Sequence, residues 1–368
     1  MKIDSRLPRL LALLVALLLA PIALAACGSS DDDAGASDAA ASTGAGTAAA
    51  DAPREEAEVT VALDWTPNTN HTGVYVADAQ GFYARHGIRL KLIPYASTSP
   101  EQLVGAGKAD VGFGYQAGIA YARAAGSDVV GVFAPFVRGA YAITVAADRD
   151  DIASPRDLDG KTYAGFGTPD EGPELRYVIQ HDGGRGDFKS VALSTAAYDA
   201  VYARRADFTI SVLTWEGVQA RLVGKPFKSF DLERYGFPRQ YSTELVASGR
   251  WLAANGDVAR RFLAATQEGY AYAAEHPDEA ARILLDANRQ ALKDPALVEQ
   301  SQRLLSDDGY FADDATQIGV QDGEVWREYG EFLYSNGLLA DRDGKKLTAE
   351  PDWSAYFTND YLPSGGGQ

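Results

Sequence analysis

Between Glu58 and Val212 the sequence alternates short β-branched runs with capped helical stretches, and that alternation restricts the chain to an α/β architecture. Glu58-Val59-Thr60-Val61-Ala62 reads as a buried strand, and Val74 to Gly81 as a helix. Ile88 to Pro94 is a second short strand. Ser99-Pro100-Glu101-Gln102 opens a helix, with Ser as cap, Pro at the first position and Gln three residues after the cap. The spacing then predicts a strand over 111–114, a helix over 116–125, an apolar strand-like run over 129–137 and a strand over 141–145. The second half repeats the logic, with strands at 161–165, 191–193 and 207–212 and helices from 171 to 179 and from 195 to 205. Lys108-Ala109-Asp110 and Arg205-Ala206-Asp207 stand at corresponding places, each between a helix end and an apolar strand. The basic residue suits the helix C-terminus. Together they predict two lobes of related topology. Tyr241 to Ser248 reads as a strand returning to the first lobe. From Gly249 onward the pattern is almost all helical.

The ends of the chain carry different signals. Residues 1–26 combine Lys2, Arg6 and Arg9 with an apolar run from Leu10 to Ile22, the pattern of a signal peptide. Leu24-Ala25-Ala26-Cys27-Gly28 resembles a bacterial lipobox, so Cys27 is the expected lipidation site and the protein is expected to be exported and anchored to the outer face of the cell membrane. Cys27 is the sole cysteine of the chain, so the exported fold is expected to manage without a disulfide. Residues 27–56, mostly Ala, Gly, Ser, Thr and Asp, are expected to be a disordered tether. Residues 364–368 are expected to fray. With 51 acidic against 34 basic residues the formal net charge is -17, which argues against a nucleic-acid partner.

Three loops leave strand carboxyl ends and carry side chains suited to a ligand crevice. In Leu63-Asp64-Trp65-Thr66-Pro67-Asn68-Thr69-Asn70-His71-Thr72-Gly73, Trp65 could stack on a flat ligand. The amides of Asn68 and Asn70 could read its edge, and His71 could donate or accept. The bland alternative is a helix cap at Asn70 with a buried Trp anchor. In Phe166-Gly167-Thr168-Pro169-Asp170-Glu171, Gly167 allows close backbone approach. Thr168 offers a hydroxyl, and the amides opening the next helix are free donors; the alternative is a cap at Thr168 with Pro169 in the first turn. In Thr214-Trp215-Glu216, Trp215 could stack while Glu216 accepts from an amine; the alternative is a Glu that merely suits a helix N-terminus. Tyr115 and Gln116 follow the 111–114 strand and are weaker candidates. No His or Cys pair has metal spacing, and no phosphate-loop or nucleophile-elbow motif is present. No cofactor is expected.

The first loop, followed by Tyr75-Val76-Ala77-Asp78-Ala79-Gln80-Gly81-Phe82-Tyr83 and Gly87-Ile88-Arg89-Leu90, resembles the THI5-like branch of the NMT1/SsuA substrate-binding proteins. Members typically read LDW-x-P-N-x-x-H, then KGYF, then EGLDV. Phe166 to Glu171 resembles the family loop GWGSPLE, with Phe where Trp is usual. Trp215-Glu216-Gly217-Val218 resembles GWEGI, Tyr115-Gln116 matches SYQ, and Phe357-Thr358-Asn359 with Leu362-Pro363 resembles a closing FTN-x-x-LP phrase. The resemblance covers residues 57–363. It implies a two-lobed α/β periplasmic-binding-protein fold (type II-like), each lobe a sheet flanked by helices. Lobe 1 is expected over 57–140 plus 242–363 and lobe 2 over 141–241. It implies a monomeric, non-enzymatic importer subunit that works with an ABC permease and ATPase and captures a thiamine-related aminopyrimidine. It places Asp64, Trp65, Asn68, His71, Tyr115, Gln116, Gly167, Thr168, Glu171, Trp215 and Glu216 at the ligand. Riboflavin, nitrate, taurine or an alkanesulfonate are alternative ligands. An enzyme is the other class, because related pyrimidine synthases use a His at the position of His71, together with a cysteine-rich iron motif that this chain lacks.

Overall fold

The computed structural model describes residues 55–194, 196–313 and 317–363. The signal peptide, Cys27, most of the tether and the 364–368 tail lie outside the described residues. The first sheet gathers β1 (Ala57–Ala62), β2 (Ile88–Ile93), β3 (Val111–Gly114), β4 (Val129–Phe133) and β10 (Glu244–Ser248) in the order β2-β1-β3-β10-β4. The second gathers β5 (Tyr141–Ala146), β6 (Thr162–Gly165), β7 (Lys189–Ala192), β8 (Phe208–Val212) and β9 (Phe227–Asp231) in the order β7-β6-β8-β5-β9. In each sheet one strand runs against its neighbours, β10 in the first and β5 in the second. Two connections, 134–140 and 232–243, cross between the sheets. They are tied together where Tyr141 donates its hydroxyl to the Ser242 carbonyl at 2.9 Å.

Helices fill the crossovers. The first lobe carries α1 (Thr72–Ala79), α2 (Phe82–Arg85), α3 (Pro100–Gly105) and α4 (Gln116–Ala124). The second carries α5 (Glu171–His181), α6 (Ala196–Tyr202) and α7 (Glu216–Leu222). After β10 come α8 (Gly249–Ala254), α9 (Gly256–Glu275), α10 (Pro277–Ala287), α11 (Pro295–Asp307) and α12 (Gly323–Ser335). Ser99 caps α3 as its spacing predicts, accepting from the Gln102 amide. The long helix α9 lies against α1 with almost no gap. A methyl on Gly269 would meet the Gly73 carbonyl, and one on Gly73 would meet the Tyr270 ring. Val59, Val61, Val74, Val76, Phe113, Phe262 and Tyr270 form the core beneath them.

The echo between Asp110 and Asp207 has a structural cause. Each sits at the entry to the middle strand of its sheet and reaches sideways. Asp110 accepts from the backbone and hydroxyl of Thr60 at 2.8 and 2.6 Å. Asp207 accepts from the backbone of Thr162 at 2.8 Å. Each carboxylate thereby fixes the register of two parallel strands whose carboxyl ends face the site.

Two expectations need correction, and one strand is added. The run 129–137 leaves the sheet after Phe133, because the Val137 amide turns to the Tyr310 carbonyl. The helix expected to reach Arg205 ends at Tyr202, and Arg204 adopts a left-handed conformation with φ 59. Strand β9, at the edge of the second sheet, is not read from sequence. Phe227-Lys228-Ser229-Phe230-Asp231 buries only Phe230 and lacks a clean alternation.

Candidate functional site

The carboxyl ends of β1, β3, β6 and β8 point toward one another, and a cavity of about 260 Å3 lies between them. Nine of the sequence-predicted residues line it: Asp64, Trp65, Asn68, Tyr115, Gln116, Thr168, Glu171, Trp215 and Glu216. His71 and Gly167 do not.

His71 is fully buried, edge-on to Phe113 with ring centroids 4.6 Å apart. Its Nδ1 accepts the Asn68 amide at 3.2 Å, so the ring proton sits on Nε2 and is donated to Asp64 Oδ1 at 2.8 Å. The histidine braces a carboxylate that lines the cavity; it does not reach the cavity itself. Asn68, which does line the cavity, also spends its side chain on the loop. Its Oδ1 accepts the Asn70 amide and its Nδ2 donates to the Thr66 carbonyl, so the cap is Asn68 and not Asn70. Gln116 is likewise engaged at both ends, donating to the Val325 carbonyl and accepting the Tyr241 amide.

Gly167 is exposed, with φ 87, and a side chain there would begin 3.2 Å from the Ala192 methyl, tighter than ordinary contact. The amides of Phe166 and Gly167 donate to the Glu171 carboxylate at 2.8 and 3.0 Å. They are therefore not open to an electronegative ligand edge. The cap of α5 falls at Asp170, two residues later than the Thr168 alternative. Glu216 is the first residue of α7, and its Oε2 accepts the Val212 amide at 3.1 Å. Burial raises its carboxyl to about 7, against the lowering effect of the backbone amides.

Aromatic rings cross from one lobe to the other. Trp65 lies 5.1 Å from Tyr95 and 6.3 Å from Phe166, and Phe166 lies 6.0 Å from Tyr198. Phe166 thus serves as wall although it replaces the family's Trp. Trp215 lines the cavity from the second lobe and packs against a first-lobe cluster of Tyr75, Ala281, Leu284 and Val298. Sequence reasoning misses Tyr141, Asp170, Glu174, Tyr198 and Tyr329, which also line the cavity. Asp170 and Glu174, four residues apart at the start of α5, look in sequence like a solvent-facing acidic turn. Five carboxyl groups, those of Asp64, Asp170, Glu171, Glu174 and Glu216, line the cavity, and no lysine, arginine or histidine does among the described residues. No cluster among the described residues could hold a metal ion.

Comparison with known proteins places this geometry. The family model described as NMT1/THI5 like matches residues 68–280, more than half of the chain. The chain belongs to that family. A formylaminopyrimidine-binding protein of Halalkalibacterium halodurans is 29% identical over 294 residues, covering 76% of this chain and 86% of the relative. The riboflavin-binding protein RibY of Chloroflexus aurantiacus is 27% identical, covering 84% and 87%. A 4-amino-5-hydroxymethyl-2-methylpyrimidine phosphate synthase of Legionella pneumophila is 27% identical, covering 84% and 93%. Among solved structures, the alkanesulfonate-binding protein SsuA of Xanthomonas axonopodis pv. citri superposes with a TM-score of 0.59 at 16% identity, over 78% of this chain and 96% of that one. That likeness carries the two-lobed periplasmic-binding-protein fold.

Proposed function

We propose that this NMT1/THI5-like chain is the substrate-binding subunit of an ABC importer and that it captures a small, flat, donor-rich molecule of the aminopyrimidine type. The observation that carries this reading is the cavity wall, with five carboxyl groups, no cationic side chain among the described residues, and aromatic rings on both lobes. Such a wall suits a ligand with a π-face and a row of hydrogen-bond donors. Glu216 Oε2 already takes the Val212 amide, so what a ligand must satisfy is the other oxygen. Covering that oxygen without donating to it would cost roughly 1–3 kcal/mol, and ligands lacking a donor at that edge are selected against. The name of the Halalkalibacterium relative supports the same class.

Nitrate, taurine and alkanesulfonates fit this wall poorly, because a nitrate or sulfonate group would face five carboxyl groups and no cationic side chain among the described residues. A flavin is the second reading. The Chloroflexus relative's name favours it, and aromatic walls suit it equally. The cavity of about 260 Å3 favours a single ring, since ligand pockets commonly run from about 300 to 1,000 Å3. We read the chain as a binder and not a synthase. Both ring nitrogens of His71 are engaged and the ring does not line the cavity, and the sequence holds no cysteine beyond Cys27. Cys27 would carry the lipid that holds the exported protein at the outer face of the membrane, beside a permease and its ATPase.

Native mass spectrometry of the purified chain should release a bound species of pyrimidine size. Release of a flavin would replace the ligand claim, and release of a sulfonate would overturn the reading of the wall. For the anchor, Cys27→Ala should move the protein from the membrane fraction to the soluble exported fraction. Unchanged detergent partitioning would remove the lipidation claim.

A further inference from the structure

Two hydrogen bonds cross from the first lobe to the second beside the cavity, and both run from a tyrosine to a carboxyl group. Tyr121 of α4 donates to Asp170 Oδ1 at 3.2 Å, and Tyr329 of α12 donates to Glu174 Oε1 at 2.9 Å. Asp170 and Glu174 lie one helical turn apart at the start of α5, on the same face, and both are buried. No cation among the described residues compensates them. On α4, Arg123 donates to the Val129 carbonyl and stacks on Tyr356. On α12, Arg327 is paired with Glu324 and Glu331. On α5 itself, Arg176 is exposed and lies beside Gly172. What faces the pair is Tyr121, Tyr329, Thr168 and the further carboxyl of Glu171, with the neutral phenols of Tyr115, Tyr141 and Tyr163 close by.

We infer that Asp170 and Glu174 form a protonatable latch, joined to Tyr121 and Tyr329, that holds the lobes together and takes up a proton as they close. The physical reason is local. When the lobes part, both carboxyl groups return to water and ionise separately. When the lobes meet, two negative charges would share one dry niche with only neutral donors. Burial raises Glu174 to about 8, with the Asp170 charge adding to the effect, and burial raises Asp170 as well. The direction follows from linkage. The closed form binds more protons than the open form, so closure is favoured as pH falls and lost as pH rises through the closed-state value.

The latch is independent of which ligand the cavity takes, so it is tested on the ligand-free protein. Small-angle scattering at about pH 5.5 and about pH 8.5, which bracket that value, should give a larger radius of gyration at the higher pH. The double variant Asp170→Asn/Glu174→Gln keeps a carbonyl acceptor for each tyrosine and has no proton to lose. It should stay compact at both pH values. Tyr121→Phe/Tyr329→Phe should be expanded at both. Circular dichroism shows whether each variant is folded. A wild-type radius that does not respond to pH would overturn the latch. So would a pH response that survives unchanged in Asp170→Asn/Glu174→Gln.

Discussion

At the scale of single residues, the first loop divides its labour in a way its sequence does not reveal. Asp64, Trp65 and Asn68 line the cavity, whereas His71 holds the loop in shape from behind it, and Asn68 also caps the turn. A Trp, an Asn and a His between strand and helix do signal a crevice. Nothing in the spacing says which of them faces inward, because His71 turns away only through its bonds to Asp64 and the Asn68 amide. His71→Ala should therefore act twice. It removes a fully buried ring from beside Phe113 and leaves the Asn68 amide unpaired, which together should cost about 2–4 kcal/mol in urea unfolding. It should also weaken ligand binding through the freed Asp64. Wild-type stability in that variant would contradict the bracing role. Glu171 teaches the same lesson. Its carboxylate lines the cavity and is also the acceptor that closes its own loop.

Secondary-structure elements were the most legible level. The β-branched strands and the Ser99-Pro100 helix start sit where their local chemistry puts them. Local chemistry fails where tertiary contacts decide. The 129–137 run is apolar throughout, yet it leaves the sheet where its amides find the 310 and 319 segments. Strand β9 is held by its pairing with β5, from Ala142–Asp231 to Ala146–Phe227, and not by its own pattern. The repeated Asp at the entry to β3 and β8 is visible in sequence, but its partner strands are about 45–50 residues away and only the fold supplies them. Asp110→Ala and Asp207→Ala should each cost about 1–3 kcal/mol by leaving the Thr60 or the Thr162 amide unpaired. Chemical denaturation of the two variants measures this. An effect in one half and none in the other would break the proposed equivalence of the two sheets.

For the whole molecule, the cavity exists only because two sheets of matching strand order present their carboxyl ends to each other. The three candidate loops are separated by about a hundred and by fifty residues, yet Trp65, Phe166 and Trp215 meet around one space. Sequence could point to those loops. It could not point to Tyr329 or Glu174, which reach the cavity by the packing of α12 and α5 and carry no loop signature. The central claim is that this space is built for the donor edge of an aminopyrimidine and read by Glu216. Titration calorimetry with 4-amino-5-hydroxymethyl-2-methylpyrimidine tests it most directly. Wild-type protein should bind, and Glu216→Gln should lose at least about tenfold in affinity, equivalent to roughly 1.4 kcal/mol. Undiminished binding by Glu216→Gln, or wild-type binding of an alkanesulfonate in place of the pyrimidine, would contradict the account.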